Sequence, residues 1–222
     1  MHPAAAARAG LPTAAARNKL ADDLRLQGVK DERLLAVIAK VPRHEFVEPA
    51  FQSQAYKSDL TVPIGHAQTL SQARVVAVMT EALLAGGKPA RVLEVGTGSG
   101  YQTAVLAALC GTVFTVERIK ALSETARVRL GALGIKNVHF GYADGTAGWA
   151  SFAPFDAILV TAGADSVPSA LIEQLAPGGR LVIPVGPSNA QVLQVITRNA
   201  NGSTTTLQVA KVSFVPLLAG RQ

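Results

Sequence analysis

The stretch RVLEVGTGSGYQ, residues 91–102, constrains this chain more than any other. An apolar run of Val92, Leu93 and Val95 carries one acid, Glu94, and then breaks into glycines at 96, 98 and 100. Helix-compatible sequence resumes from Tyr101 to Leu109. That order predicts a strand, a tight turn and a helix. Such a turn opens at the carboxyl end of a strand, where open α/β sheets bind their ligands.

Downstream the alternation repeats. Strands are predicted over 112–117, 137–142, 156–161 and 180–185, with helices over 119–132 and 168–175 and a loop from Ala143 to Ser151. Pro177-Gly178-Gly179 is expected to end the second helix. The pattern predicts a doubly wound, Rossmann-like α/β sheet, mostly parallel, with helices on both faces. Two strand-like runs, 191–199 and 204–212, meet around Asn201-Gly202, a hairpin signal that adds an antiparallel pair.

Upstream, Leu20, Leu24 and Leu26 form one apolar stripe, and Leu34, Leu35, Val37 and Ile38 form another. They predict two short helices parted near Gly28, with Asp31 as cap of the second. Residues 56–73 are polar, carry Pro63 and Gly65, and read as a loop. An amphipathic helix is predicted from Gln72 to Leu84, with Ser71 a candidate N-cap. Residues 1–17, alanine-rich and broken by Gly10 and Pro12, are expected to form a flexible tail. Residues 18–222 are expected to form one domain: helices and a loop over 18–90, ligand-binding βα units over 91–186, and a hairpin and tail over 187–222.

Composition narrows the function classes. Hydrophobic residues make up 49% of the chain and charged residues 16%, which fits a folded globule. No apolar run approaches the roughly 18–20 residues needed to cross a bilayer. The single cysteine, Cys110, excludes an intrachain disulfide and a cysteine-based zinc site, and reads as a packed thiol in a reducing, cytoplasmic setting. The net charge of +6 is uneven: residues 174–222 carry four basic groups and no acid. No Lys/Arg cluster is interleaved with aromatics, so the basic excess reads as soluble surface, and nucleic acid is not expected as a partner.

The glycines at 96, 98 and 100 follow G-x-G-x-G, not the G-x-G-x-x-G of dinucleotide sites, and no Gly-Lys-Ser/Thr phosphate loop is present. Glu94, just before the turn, suits a cation better than a pyrophosphate. S-adenosylmethionine has no phosphate and carries a sulfonium and an ammonium, so it fits the turn. Glu117 ends the next strand, nineteen residues beyond Gly98, where an acid can accept both ribose hydroxyls of an adenosine. Asp144-Gly145, after the third strand, can face the adenine amino group.

The central unit resembles the class I S-adenosylmethionine-dependent methyltransferases. More narrowly, the chain is similar to the protein-L-isoaspartate O-methyltransferase family. The resemblance rests on VPRHEFV at 41–47, PIGHAQTLSQ at 63–72, LEVGTGSGYQTAVLA at 93–107, VERI at 116–119, DGTAGW at 144–149, PFDAILVTAGA at 154–164, PGGRLVIPVG at 177–186 and FVPL at 214–217. It implies Ser71 as the active-site serine. It implies cofactor contacts from Gln68, Thr69, Glu94, Gly96, Thr97, Gly98, Ser99, Glu117, Asp144, Gly145 and Thr161. Substrate contacts are implied for Ile64, His66, Ser71, Val215, Pro216 and Leu217. The chain departs from the family pattern at His66, Ala67 and Ala73, where an aromatic, a glycine and a proline are usual.

The implied reaction is methyl transfer from S-adenosylmethionine to the free carboxylate of isoaspartyl residues in damaged proteins and peptides, followed by closure to a succinimide. The nucleophile has an ordinary pKa near about 4, so no general base and no metal are required. A hydroxyl at Ser71 can orient it. A monomer is expected. The alternatives are another class I methyltransferase acting on a small molecule or nucleic acid, and a non-catalytic RNA-binding module. Thr161-Ala162-Gly163-Ala164 stands where nucleic-acid amino-methyltransferases carry Asn/Asp-Pro-Pro-Tyr/Phe.

Overall fold

The computed structural model describes residues 14–222. Strand β3 (Arg91–Val95) lies inside a seven-stranded sheet. After it come α4 (Tyr101–Leu109), β4 (Thr112–Glu117), α5 (Lys120–Ala132) and β5 (Val138–Tyr142). Next are β6 (Phe155–Val160), α6 (Ser169–Glu173), β7 (Leu175–Val185), β8 (Gln191–Arg198) and β9 (Thr204–Val212). The sheet order is β5-β4-β3-β6-β7-β8-β9. The first five are parallel, and β8 and β9 are antiparallel to their neighbours. The chain leaves β3 toward β4 and returns to β6 on the opposite side. That reversal opens a crevice at the carboxyl ends of β3 and β6.

Strand alternation divides the core. Val92, Val113, Ala157 and Val182 face a layer that includes α3 (Ala73–Leu84) and α4, with α1 (Ala14–Leu26) and α2 (Glu32–Lys40) joined to the same cluster. Leu93, Val95, Phe114 and Val116 face the other layer, with Leu171 of α6. On that side Phe114 sits 4.8 Å from Phe152 and 5.6 Å from Phe155, ring centre to ring centre. Asp31 caps α2, accepting from the Arg33 and Leu34 amides at 2.9 and 3.3 Å.

Several expectations change. Helix α1 starts at Ala14, so residues 14–17 form its first turn, not a tail; the rest of the expected tail lies outside the described residues. Leu26 is 87% exposed and does not belong to the α1 stripe, which closes on Leu20, Ala21 and Leu24. Helix α3 begins at Ala73, and neither Ser71 nor Gln72 caps it with a side chain. Helix α6 stops at Glu173, and β7 runs straight through Pro177-Gly178-Gly179. Buried Leu175 pairs with Phe155 and anchors the strand ahead of the glycines, and a register shift between Phe155 and Ala157 absorbs the irregularity.

Residues 56–73 are not simply a loop. They contain a hairpin of β1 (Val62–Gly65) and β2 (Gln68–Leu70), with Val62 opposite Leu70 and Gly65 opposite Gln68. Its two turn residues, His66 and Ala67, have φ of 52° and 55°. Both central positions are thus left-handed, the geometry that fits the twist of a two-residue hairpin and that Asn-Gly normally supplies. Here a histidine and an alanine bear the strain. Ala67→Gly should therefore stabilise the fold by about 0.5–1 kcal/mol, the relief of the left-handed conformation exceeding the added freedom of the unfolded chain. Denaturant unfolding checks this, and an unchanged or lower midpoint overturns it.

Candidate active site

A cleft opens at the carboxyl ends of β3, β4 and β6. Its floor is Val95, Gly96 and Gly98 of the glycine turn, its flanks are Glu117, Ile119, Gly145 and Thr161, and its mouth is edged by Gln68 and by Val215, Pro216 and Leu217. Gly96 has a φ of 95°, and a Cβ there would fall 2.3 Å from the Thr161 hydroxyl oxygen. Only glycine lets β3 turn while Thr161 Oγ1 donates to the Gly96 carbonyl at 2.7 Å.

Glu117 is 6% exposed and anchors that turn. Its Oε2 accepts the Gly98 amide at 2.9 Å, and its Oε1 accepts the Ile119 amide at 3.0 Å. Each oxygen keeps acceptor capacity toward the cleft. An acid so fixed, beside a turn without side chains, fits the ribose of an adenosine ligand, and the absence of a phosphate-binding lysine loop fits a ligand without phosphate. At Gly145 a Cβ would meet Val95 Cγ1 at 2.4 Å, so that wall also approaches as bare backbone.

Ser71 lines a second cavity with Leu70, Thr97, Ser99, Tyr101 and Phe214, and this cavity shares Gly96 and Thr161 with the cleft. The two spaces therefore adjoin across the glycine turn. The Ser71 carbonyl accepts from Nη2 of Arg43. Arg43 is fully buried, its Nε donates to the Ala55 carbonyl at 2.7 Å, and its guanidinium lies 4.6 Å from the centre of the Tyr101 ring. Burial pulls its pKa below the usual value, yet a guanidinium stays charged. This cation ties the 3₁₀ turns Arg43–Phe46 and Pro49–Gln54 to the segment that carries Ser71. The sequence reading did not find it, although VPRHEFV was among the matching stretches.

Other expected residues sit elsewhere. Ile64 and His66 line a third cavity, with Phe46, Ser99 and Arg129, and not the Ser71 cavity. Thr69 is exposed between half-buried Gln68 and buried Leu70, and its alternation points it away from the cleft. Thr97 is buried and hydrogen-bonds the Thr115 hydroxyl at 2.6 Å, while the Ser99 carbonyl accepts from Arg129 at 2.7 Å. Asp144 does not line the cleft: Oδ1 accepts from the Thr146 amide at 2.9 Å and Oδ2 from the Gly220 amide at 2.7 Å. Although burial opposes it, these donors hold its carboxyl below the usual range.

The C-terminal segment forms the wall that sequence reasoning understated. Gly163 donates to the Val215 carbonyl at 2.8 Å, and Leu217 donates to the Gly163 carbonyl at 2.7 Å, fastening the segment beside the end of β6. Further on, Gln222 N–H donates to the Arg118 carbonyl at 2.6 Å, and its carbonyl accepts from the Lys120 amide at 3.0 Å. Arg118 and Leu218 also line the cleft, and neither was a candidate.

Among the described residues no helix is long and apolar enough to cross a membrane, and no group of three His, Cys, Asp or Glu is placed to hold a metal. Cys110 is buried and its thiol is pushed up to about 12, which leaves it inert.

A seven-stranded sheet in this order, with a glycine turn pinned by a buried acid at the switch point, defines a class I S-adenosylmethionine-dependent methyltransferase. Comparison with known proteins narrows this. The profile of the protein-L-isoaspartate(D-aspartate) O-methyltransferase (PCMT) family matches residues 15–222, and the chain belongs to that family. It is 50% identical over 216 residues, 97% of each chain, to a protein-L-isoaspartate O-methyltransferase of Halorhodospira halophila. It is 50% identical over 204 residues to that of Pseudomonas paraeruginosa, covering 92% of this chain and 96% of the other. Among solved structures it is similar to a beta-aspartate methyltransferase (PCMT) from Plasmodium falciparum in complex with S-adenosyl-L-homocysteine. The TM-score there is 0.80 at 27% identity, over 91% of this chain and 98% of that one.

Glu94 is the main correction. Strand alternation turns it away from the cleft and under α4, where it is fully buried. Its Oε2 accepts from the Thr103 and Thr115 hydroxyls at 2.5 and 2.6 Å, and Oε1 has no partner among the described residues. Burial pushes its pKa up to about 8 against the pull of the two threonines. Between its ordinary value of 4.5 and about 8 the folded chain keeps a proton that the unfolded chain has released. Stability should therefore fall as pH rises through that window, with a slope of up to about 1.4 kcal/mol per pH unit. Glu94→Gln should flatten the profile and leave the variant more stable than the parent near the upper end. Unfolding curves across the window check this, and parallel profiles overturn it.

Proposed function

We propose that this chain esterifies the free carboxylate of L-isoaspartyl residues in damaged polypeptides and so starts their repair through a succinimide, with Glu117 holding the ribose of S-adenosylmethionine and Ser71 orienting the substrate carboxylate. One observation carries the assignment of roles. Ser71 is not spent on capping α3 with its side chain, and it lines a cavity that adjoins, through Gly96 and Thr161, the cleft flanked by Glu117.

When bound, S-adenosylmethionine supplies an electrophilic methyl group on a sulfonium. The residues of the chain do the rest. Glu117 and the glycine turn fix one end of the ligand. Leu70, Tyr101 and Phe214 give the Ser71 cavity apolar walls that strip water from a carboxylate, which sharpens its nucleophilicity. Ser71 donates to one carboxylate oxygen and so aims the other, and alignment of this kind supplies much of the rate. The carboxylate is already ionised at neutral pH, so no base is needed. His66, exposed at the hairpin turn, is not part of the Ser71 cavity. The enzyme acts as a monomer in the cytoplasm, on polypeptide and not on nucleic acid.

The decisive assay supplies labelled S-adenosylmethionine and two peptides that differ only in isoaspartate against aspartate. Base-labile methyl ester should form on the first alone, and equal labelling or none sinks the reading. Ser71→Ala should lower kcat about tenfold to a hundredfold, the loss of one hydrogen bond to a charged group, while leaving cofactor affinity near that of the parent. An equal loss in both refutes the orienting role. Glu117→Ala should weaken S-adenosylmethionine binding tenfold or more by calorimetry, since two ribose hydrogen bonds go at about 1 kcal/mol each. An unchanged Kd removes that assignment.

A further inference from the structure

Ser71 is followed by Gln72, and Phe214 is preceded by Ser213; Gln72 and Ser213 line a separate open groove. The groove runs between α3 and the C-terminal half of β9. Its apolar lining comes from Val75 and Val78 of α3 and Val212 of β9. Two cations, Arg74 and Lys211, stand on opposite walls, one on the helix and one on the strand. Both are exposed, and neither is in an ion pair among the described residues. No acid lines the groove. Asp59, near Arg74 through the Arg74 amide on the Ser58 carbonyl, is not a lining residue and takes a hydrogen bond from Ser58 Oγ.

The strand wall has a second property. β9 is the last strand of the sheet and pairs only with β8. Its other edge carries main-chain donors and acceptors that an extended peptide can use whatever its sequence. An isoaspartyl residue with its carboxylate at Ser71 belongs to a chain that must lead away from that cavity, and this groove starts at the chain neighbours of two of that cavity's lining residues. An apolar floor takes such a chain, and two unpaired cations with no opposing acid select what it carries.

We propose that this groove binds the stretch of substrate polypeptide that flanks the isoaspartyl residue, and that it favours an acidic side chain there, held between Arg74 and Lys211. The inference rests on the reading of Ser71 as the place of esterification. Both cations face water, so the effect is modest and salt-sensitive.

The test uses the full chain and a set of isoaspartyl peptides. They are identical except for one aspartate, asparagine or lysine placed about two to four residues from the isoaspartyl site, on either side. With the parent enzyme at low salt, KM for the best-placed aspartate peptide should lie about threefold below that of its asparagine twin, with lysine above both, as expected for exposed charge pairs. Raising the salt should shrink the gap. In the Arg74→Gln, Lys211→Gln double variant the aspartate-to-asparagine ratio of KM should approach one. In the Arg74→Glu, Lys211→Glu double variant the order should invert. Equal KM for aspartate and asparagine at every position in the parent overturns the proposal. A ratio that survives in the double Gln variant overturns it too, because the discrimination then arises elsewhere. Methylation of the asparagine peptide separates this result from the esterification reading: if that peptide is not methylated, the underlying reading fails and takes this one with it.

Discussion

The chain leaves the carboxyl end of β3 in one direction and comes back to it from the other, and the working parts depend on that reversal. β3 is held in parallel register by β4 on one side and by β6 on the other. Loops from both neighbours are therefore forced apart exactly once, above the glycine turn. Glu117 then fixes the turn by accepting amides on both sides of the β4 end. A buried carboxylate without such donors would be costly; with them, it keeps the turn in place and its remaining lone pairs aimed at a ligand.

Around this fixed point the remaining walls come from distant parts of the chain. The β1–β2 hairpin reaches over the turn, where Ile64 lies close enough to Gly98 that a Cβ there would be in van der Waals contact. Arg43 holds the Ser71 segment from beneath at the cost of burying a cation. A buried charge of this kind is weak as a source of stability, since an apolar group of the same shape often serves as well. What it provides is a rigid link between the Ser71 main chain and Tyr101 at the start of α4, which itself follows the glycine turn.

Sequence periodicity made the parallel sheet legible because its strands are short apolar runs bounded by glycine and acid, and because Asn201-Gly202 announces the last hairpin. The same logic missed the β1–β2 hairpin, since His66 and Ala67 occupy left-handed positions that local preference assigns to glycine or asparagine. It misplaced Glu94 for a simpler reason. Side chains alternate along a strand, and a residue just before the glycine turn faces either the ligand or the helix; here it faces the helix. Gly96 and Glu117 were legible in the glycine spacing and in the acid that ends the next strand, whereas Ser71 was legible only through the family motifs, which mark identity and not contact. The roles of Arg43 and Arg118 were not, because they come from partners far along the chain, and nothing near them in sequence announces those partners.

The segment from Val215 to Gln222 links the end of the fold to its middle. Arg118 donates to the Gly220 carbonyl across 102 residues of sequence. Contacts of such range close a long loop, which costs chain entropy that the wall's own hydrogen bonds must offset. Any ligand held by that wall binds only the docked form, and by mass action it draws the segment down. Docking of this wall and occupancy of the cleft are then a single linked equilibrium.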